Sequence, residues 1–472
     1  MPSKGSGVAT VLRAVRVMRT VIDKRSKLEP TWEQECKRAQ LKSDQRRFLR
    51  DMCSGTLRWF DYYSRLFDYA APPKLADDLD LRLLAASTLY QGEIMEKAPS
   101  QETLCLGAAD ACAQLGKASV ANAMKEGCRR VLQMQADERR RASTDASAYS
   151  LPAWMYDSLA TDRHGGKWLE QSGHLLLERP SFLNVAVPPK AVYNGPAKYA
   201  QMLRRDKDIW SEPSGYAPHG VLIRSRPRDV EALPGIASKV VHVQDGAQQY
   251  ACSLFAPLAA GARILDACAA PGGKSRSLLL HHPEAHITAV DASAKKVAAM
   301  RLKLLAGASA RGEGEDEDEL ALQRQRQLRI LNADVTDVST WWDGTKFNAI
   351  ILDAPCTASG LVRAIPEIKA HRTQDDLLTM RRMQLSLLTA VWKLLKPGGE
   401  LLYTTCSILR QENDVTVRSF IKRTPEARSV TVPVPSGGPP GVTARRRANG
   451  AVLFFPSEIH QGGYVAKLRK AK

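Results

Sequence analysis

Two cysteines follow strand-like runs of the sequence and could act together as catalytic thiols. The apolar run 347–352 is followed by Asp353 and, three residues later, by Cys356. The run 400–404 is followed by Thr405 and Cys406. We predict that the two runs are neighbouring parallel strands, so both thiols should lie at the carboxyl edge of one sheet, where open α/β sheets bind ligands. A lone buried cysteine is usually an inert apolar side chain. Two thiols at adjacent strand ends are suited to covalent catalysis.

A loop of small residues after an earlier strand is suited to holding a cofactor. The strand at 263–268 runs into Asp-Ala-Cys-Ala-Ala-Pro-Gly-Gly-Lys-Ser, residues 266–275. Small residues between a strand and a helix let the backbone approach a ligand closely. A phosphate-binding P-loop needs glycine where Cys268 stands, and a dinucleotide fingerprint needs more glycines than Gly272 and Gly273. S-adenosyl-L-methionine is the cofactor that remains.

Aspartates at the ends of the next strands complete the predicted cofactor site. Asp291 would accept hydrogen bonds from both ribose hydroxyls, and Asp334 would meet the adenine amino group. No metal site is predicted. The predicted cofactor-binding residues are Asp266, Ala267, Cys268, Ala269, Ala270, Pro271, Gly272, Gly273, Lys274, Asp291, Asp334 and Asp353.

A methyl donor beside two thiols points to methylation of a pyrimidine at carbon 5. That carbon is a poor nucleophile until a thiolate adds at carbon 6, so the reaction needs covalent catalysis. A second group must then help the carbon-5 proton leave and the thiolate separate. Asp353 could hydrogen-bond the edge of the base and stabilise the adduct.

The same residues resemble a known family, the RsmB/NOP RNA 5-methylcytosine methyltransferases. Segments 266–275, 353–356 and 405–407 look like its motifs I, IV and VI, and the likeness extends to Leu394–Gly399, Gln411–Asn413, Val243–Gln248 and Gly463–Lys467. The resemblance implies that Cys406 is the nucleophile and that Cys356 assists product release. It also implies a class I, Rossmann-like catalytic domain. Near the N-terminus, the stretch Arg47–Arg58 is similar to the NusB-like helical domain of the family's bacterial RsmB branch.

Hydrophobic periodicity predicts an α/β protein with three parts. The pattern predicts an all-α domain over residues 1–145, a small α+β segment over 150–250, and a catalytic domain over 251–472, whose βαβα order predicts a parallel sheet. The resemblance implies that the first part is a NusB-like RNA-binding domain and that the second recognises RNA. The polar stretch 137–149 is interpreted as a linker. The first 22 residues contain arginine but no acid, as in a transit peptide, yet their helical spacing favours the first helix of a folded domain.

Charge and cysteine content restrict the class of binding partner and the cellular compartment that we expect for the protein. The net charge of +18 favours a polyanionic partner, with nucleic acid first and an anionic membrane surface second. We expect phosphate contacts from 445–447 and from the lysines near 467–472. No apolar run is long enough to span a membrane. Nine cysteines without a C-x-x-C pair argue against a zinc ribbon and favour the cytoplasm. The acidic run 311–319 is interpreted as a surface loop, and the absence of a heptad seam favours a monomer.

The leading hypothesis is a cytosine-C5 methyltransferase that acts on 16S (small-subunit) ribosomal RNA. The alternatives are a transfer-RNA cytosine-C5 methyltransferase and a non-catalytic RNA-binding ribosome assembly factor. Retention of both thiols and Asp353 argues against the assembly factor, because binding alone needs none of them. The chain departs from the family pattern at 363–367, after motif IV, and at 183–186, in the RNA-contact segment.

Overall fold

The computed structural model describes most of the chain as two compact units. The described residues are 4–72, 75, 77–96, 98–189, 193–224, 227, 229–304, 326–435 and 443–472. The first unit contains residues 1–179 and 362–374, and the second contains 180–361 and 375–472. The division of the chain into three domains stays a prediction. The acidic run 311–319 lies outside the described residues.

The first unit is helical, as the periodicity of residues 8–140 predicts. Its first helix carries buried Val15, Met18 and Val21 on one side, so this segment is part of a folded core. The helices before residue 180 are α1 (Lys4–Asp23), α2 (Leu28–Arg38), α3 (Ser43–Ala70), α4 (Leu79–Ile94), α5 (Gln101–Gln114), α6 (Ala121–Gln133), α7 (Ala136–Ala142), α8 (Asp145–Ala148), α9 (Ala153–Ala160) and α10 (Arg163–Ser172).

The predicted linker at 137–149 is wrong, because most of it is helical. Helices α7 and α8 occupy it, and Thr144 and Ser147 cap α8 reciprocally through their side chains and backbone N–H groups. Arg139 donates to the carbonyl of Val131 at 2.8 Å and pairs with Glu93. Local caps and these ties to earlier helices offset the polar composition.

The second unit contains a large sheet with the predicted strand and helix alternation. Its strands are β1 (Leu183–Ala186), β2 (Ser211–Pro213), β3 (Gly220–Ile223), β4 (His242–Val243), β5 (Arg263–Ala267), β6 (His286–Asp291), β7 (Leu328–Asn332), β8 (Phe347–Asp353), β9 (Leu395–Thr405), β10 (Ala427–Val430), β11 (Ala444–Arg446), β12 (Val452–Phe454) and β13 (Gly463–Lys470). The later helices are α11 (Pro196–Lys207), α12 (Gly246–Cys252), α13 (Gly273–His281), α14 (Ala294–Leu304), α15 (Ile368–His371), α16 (Gln374–Lys393) and α17 (Asp414–Arg423).

The order of the large sheet brings the predicted site residues to one edge. Strands β7, β6, β5, β8 and β9 are parallel neighbours in that order, and β13 runs antiparallel beside β9. Strand order therefore reverses between β5 and β8, and ligands bind outside the carboxyl ends of strands at such a switch point. A separate antiparallel sheet, ordered β2-β3-β1-β4, shares a small apolar core with α11. These findings confirm the Rossmann-like fold class.

Residues 362–374, which follow the Cys356 loop, pack inside the helical unit. The Leu28 N–H donates to Glu367 at 3.0 Å, and the Lys369 ammonium donates to the carbonyl of Arg58 at 2.8 Å. Burial lowers the pKa of Lys369 to about 7. The departure from the family pattern at 363–367 therefore lies where Glu367 hydrogen-bonds the start of α2.

Two further features concern membranes and metals. No helix in the described ranges is both long and apolar enough to cross a membrane. Among the same residues, no group of three or more histidine, cysteine or acidic side chains is placed to hold a metal ion.

Candidate active site

The two predicted catalytic thiols meet at the carboxyl edge of the sheet. The Sγ atoms of Cys356 and Cys406 lie 3.2 Å apart, and both cysteines are free and partly exposed. Their strands are parallel neighbours, with Asp353 at the end of β8 in register with Thr404 of β9. The hydrogen bond with Cys406, followed by burial, raises the pKa of Cys356 well above its usual value. Cys356 is therefore held as the protonated thiol at neutral pH.

An ion pair links the predicted cofactor loop to the strand that carries Asp353. The Lys274 ammonium lies 2.7 Å from one oxygen of Asp353, and Thr404 donates to the other at 3.1 Å. Burial lowers the pKa of Lys274, but the Asp353 carboxylate, together with Cys252 and Asp266, offsets burial, and the net effect raises the pKa. Lys274 thus stays charged, and its side chain orients Asp353 at the edge of the site.

The cofactor loop between β5 and α13 has the features required of a close backbone approach. Gly272 has a φ of +97°, and a Cβ there would lie 2.7 Å from Leu304, so a side chain would be both strained and crowded. Asp266 is fully buried and accepts a hydrogen bond from Ser275 at 2.5 Å. Its Oδ1 has no hydrogen-bond partner in the described structure, and burial raises the pKa of Asp266 to about 7. A buried acceptor left over at this loop fits a donor group of S-adenosylmethionine.

The two aspartates predicted for ribose and adenine differ in their surroundings. Asp291, at the end of β6, accepts from the N–H of Ala270 at 3.1 Å and from that of Ser293 at 2.9 Å. It therefore fixes the cofactor loop, and its oxygens retain lone pairs for further donors. Asp334 is exposed beyond β7, and hydrogen bonds from the Thr336 side chain and backbone N–H lower its pKa. Of the two, only Asp291 hydrogen-bonds the cofactor loop in the described structure.

Two buried residues that sequence reasoning assigned no role contact the loops of both thiols. Glu412 accepts from the N–H of Thr357 at 2.8 Å and from its hydroxyl at 2.5 Å. Asn413 accepts from the Thr405 hydroxyl at 2.7 Å and donates to the carbonyl of Ser407 at 2.8 Å. The sequence offered only a polar Gln-Glu-Asn stretch between a strand and a helix, within the family resemblance.

Some of the cations near the C-terminus are not the free phosphate ligands that the sequence predicted. Arg447 is 8% exposed and its Nε donates to Asp414 at 2.7 Å. Lys467 lies 2.9 Å and Arg469 2.6 Å from Glu400. All three cations neutralise buried carboxylates within the fold, so the expectation is wrong for Arg447 and Lys467. It stays a prediction for the exposed arginines at 445 and 446 and for the lysines at 470 and 472.

A basic cavity is lined mainly by residues of α16. It has a volume of about 690 Å³ and is lined by four cations together with apolar and hydroxyl side chains, none of them acidic. Within the described part of the chain, none of the four is within ion-pair distance of an acidic side chain. The cations are Arg381, Arg382, Lys393 and Arg423. Such a surface is suited to phosphate oxygens.

Solved structures share this architecture. The crystal structure of PH0851 aligns with a TM-score of 0.71 and 19% identity, covering 100% of this chain and 99% of that one. The structure of NSun6 from Pyrococcus horikoshii with SFG aligns with a TM-score of 0.51 and 17% identity, covering 68% and 98%. At these identities, the likeness supports the fold alone.

Sequence comparison identifies the family. A family model described as 16S rRNA methyltransferase RsmB/F matches residues 254–469. The ribosomal RNA small subunit methyltransferase B of Xanthomonas campestris pv. campestris is 31% identical over 99% of this chain and 98% of its own length. The chain therefore belongs to the RsmB/F family of 16S rRNA methyltransferases, whose methyl donor is the predicted cofactor, S-adenosylmethionine.

Proposed function

We propose that the protein methylates carbon 5 of a cytosine in 16S ribosomal RNA. The observation that carries the proposal is the 3.2 Å separation of the Cys356 and Cys406 sulfurs beside the cofactor loop. Methylation of an exocyclic nitrogen or a ribose hydroxyl needs no covalent thiol, whereas carbon 5 does. A non-catalytic assembly factor would have no use for either cysteine.

Each residue at the sheet edge has a distinct task in this reaction. The Cys406 thiolate adds to carbon 6, and the electron pair of the ring double bond moves to carbon 5, which becomes nucleophilic. S-adenosylmethionine supplies the methyl group that carbon 5 accepts. The carbon-5 proton then passes to water, and the electron pair of the broken carbon–hydrogen bond reforms the ring double bond as the bond from carbon 6 to the Cys406 sulfur breaks. Cys356 assists that elimination, and Asp353, held by Lys274, hydrogen-bonds the amino edge of the base.

Ribosomal RNA is the favoured substrate over transfer RNA. The relatives that align over nearly the whole chain are named ribosomal RNA small subunit methyltransferase B, and their alignment includes the helical unit. We place the protein in the cytoplasm, where a reducing environment keeps both thiols free. We also propose that it acts as a monomer.

Methyl transfer and adduct formation test the proposal together. Purified protein is incubated with tritiated S-adenosylmethionine and either 16S ribosomal RNA or bulk transfer RNA, and the modified base is identified after nuclease digestion. We expect label in 5-methylcytosine from 16S RNA. Label in another base would refute cytosine-C5 chemistry, and label confined to transfer RNA would favour the alternative substrate.

Denaturing electrophoresis of variants separates the roles of the two thiols. Cys406→Ala should form no adduct and transfer no methyl group, whereas Cys356→Ala should accumulate a methylated, covalent RNA complex. Cys128→Ala, a buried cysteine of the helical unit, is the matched control and should retain activity. A covalent band with Cys406→Ala instead would reverse the assignment.

A further inference from the structure

We propose that Glu412 and Asn413 are paired positioning residues, each of which fixes one of the two thiols for one step of the reaction. The proposal rests on the proposed function, since it assigns the two steps to different thiols. Both side chains are buried, with exposures of 0% and 1%, so neither is placed to touch substrate. Their influence on the chemistry must pass through the loops that they hold.

Glu412 holds the residues on both sides of Cys356. Its carboxylate accepts both the N–H and the hydroxyl of Thr357, which follows the cysteine. The Gln384 side-chain amide donates to Glu412 at 3.1 Å and to the carbonyl of Pro355, which precedes the cysteine, at 2.9 Å. The polar groups of this buried loop are therefore satisfied by a connected set of hydrogen bonds centred on the Glu412 carboxylate.

Asn413 holds the residues on both sides of Cys406. Unlike Glu412, which only accepts hydrogen bonds, Asn413 accepts one and donates one. Its oxygen accepts the hydroxyl of Thr405, which precedes the cysteine, and its NH2 group donates to the carbonyl of Ser407, which follows it. An asparagine is needed here because the site requires one acceptor and one donor on the same side chain.

The two loops are also joined directly, which fixes the distance between the thiols. The N–H of Gly360 donates to the carbonyl of Cys406 at 2.9 Å, and the hydroxyls of Ser359 and Ser407 lie 3.0 Å apart. The Tyr403 hydroxyl donates to the carbonyl of Glu412 at 2.7 Å and holds the backbone of the pair. Consecutive residues therefore set the positions of both sulfurs.

Loosening each loop should impair a different step. A mobile Cys406 attacks carbon 6 less often, so Asn413 variants should slow adduct formation. A mobile Cys356 fails to assist elimination, so Glu412 variants should accumulate adduct. A displacement of about 1 Å at a reacting group can cost on the order of a hundredfold in rate.

The test uses nearly isosteric variants of the full-length protein. Glu412→Gln replaces one acceptor oxygen by a donor that faces the existing donors, and Asn413→Asp removes the donor to Ser407. Thr416→Val is the matched control, because it removes a buried hydrogen bond of the same segment, to the carbonyl of Gln411, that flanks neither cysteine. The measurements are the fraction of RNA-bound protein on denaturing gels, the single-turnover rate of methyl transfer, and the urea unfolding midpoint.

We expect Glu412→Gln to accumulate covalent complex and to lower multiple turnover at least about tenfold while methyl transfer within the first turnover proceeds. Asn413→Asp should slow adduct formation at least about tenfold when introduced beside Cys356→Ala. Equal effects of the two variants on both steps, or effects no larger than those of Thr416→Val, would overturn the proposal.

Milder variants keep the test informative where the first pair fold poorly. Thr357→Val removes the hydroxyl bond to Glu412. Thr405→Val removes the hydroxyl bond to Asn413 and the bond that the same hydroxyl accepts from the Ser407 N–H at 3.3 Å, both of which hold the Cys406 loop. Each variant should therefore show the same phenotype as its partner in weaker form. If the two threonine variants fold but do not differ in which step they impair, the proposal is also overturned. If neither Cys356→Ala nor Cys406→Ala traps RNA and wild type places no label in 5-methylcytosine, the proposed function itself is wrong. If Cys356→Ala traps RNA but the Glu412 and Asn413 variants impair the same step, only the positioning proposal fails.

Discussion

A cluster of three partly buried histidines should make the second unit sensitive to mild acid. The rings of His219 and His281 have centroids 4.5 Å apart, and those of His281 and His282 are 6.5 Å apart. Burial, followed by repulsion from the other two rings, lowers the pKa of His281 to about 3. Burial also lowers the pKa values of His219 and His282. The folded protein therefore holds these rings neutral.

The sign and size of the effect follow from proton linkage. Above pH 6.5 both folded and unfolded histidine are neutral, and stability does not depend on them. Below that pH the unfolded chain binds protons that folded His281 refuses, so stability falls as pH falls, until the pH reaches the folded pKa. Each pH unit in that window costs about 1.4 kcal/mol for one such group, which gives a loss of about 2 kcal/mol at pH 5 from His281 alone.

Urea unfolding of wild type and His281→Gln between pH 8 and pH 4.5 measures this contribution. Glutamine stays neutral, so the variant should lose less stability than wild type between pH 7 and pH 5, by about 2 kcal/mol. His286→Gln, on the exposed first residue of β6, is the matched control and should follow wild type. Parallel pH curves for wild type and His281→Gln would refute the reasoning.

Three further predictions concern the cofactor, the thiol loops and RNA. Asp291→Ala should weaken S-adenosylmethionine binding by on the order of 1–3 kcal/mol in calorimetry, because the ribose hydroxyls no longer have their acceptors; wild-type affinity would contradict its assignment. Gly360→Ala should abolish activity, since its Cβ would lie 2.7 Å from the Cys406 carbonyl oxygen, and a fully active variant would show that the loops are not locked. The double variant Arg381→Gln with Arg423→Gln should weaken RNA binding. It should also reduce the slope of log affinity against log salt concentration by about 0.7 for each phosphate that the variant no longer neutralises. An unchanged slope would exclude the basic cavity as an RNA-binding surface.

The sequence predicted the thiol pair because a simple geometric rule connects strand ends to a sheet edge. Continuous apolar runs ending at Asp353 and Thr405 identified two buried parallel strands, and neighbouring parallel strands end together. The loop after β5 was predictable for a similar reason, since its residue types restrict what it can bind. Both predictions depend on short, contiguous patterns.

Features that depend on long-range contacts were not predictable in this way. Nothing in the residues around Glu412 indicates that it meets Thr357, 55 positions earlier in the chain, because the contact depends on how β8 and β9 align. Arg447 was interpreted as an exposed phosphate ligand, since a run of arginines has no internal sign of which member is buried against Asp414. Sequence periodicity reports which face is apolar, but it does not report the partner of a buried charge.

The electrostatics of the thiol pair bear on which cysteine attacks. A thiolate is the reactive form, so a thiol whose pKa is raised is a weaker nucleophile at neutral pH. Cys356 shares its environment with the Cys406 sulfur and the Glu412 carboxyl group, both of which raise its pKa. A protonated Cys356, 3.2 Å from Cys406, can donate a hydrogen bond to the Cys406 sulfur as the bond to carbon 6 breaks. The reverse assignment would require the attacking thiolate to form beside the buried Glu412 carboxyl group. The surroundings of Cys356 therefore support the division of labour that we propose, with attack by Cys406 and assistance by Cys356.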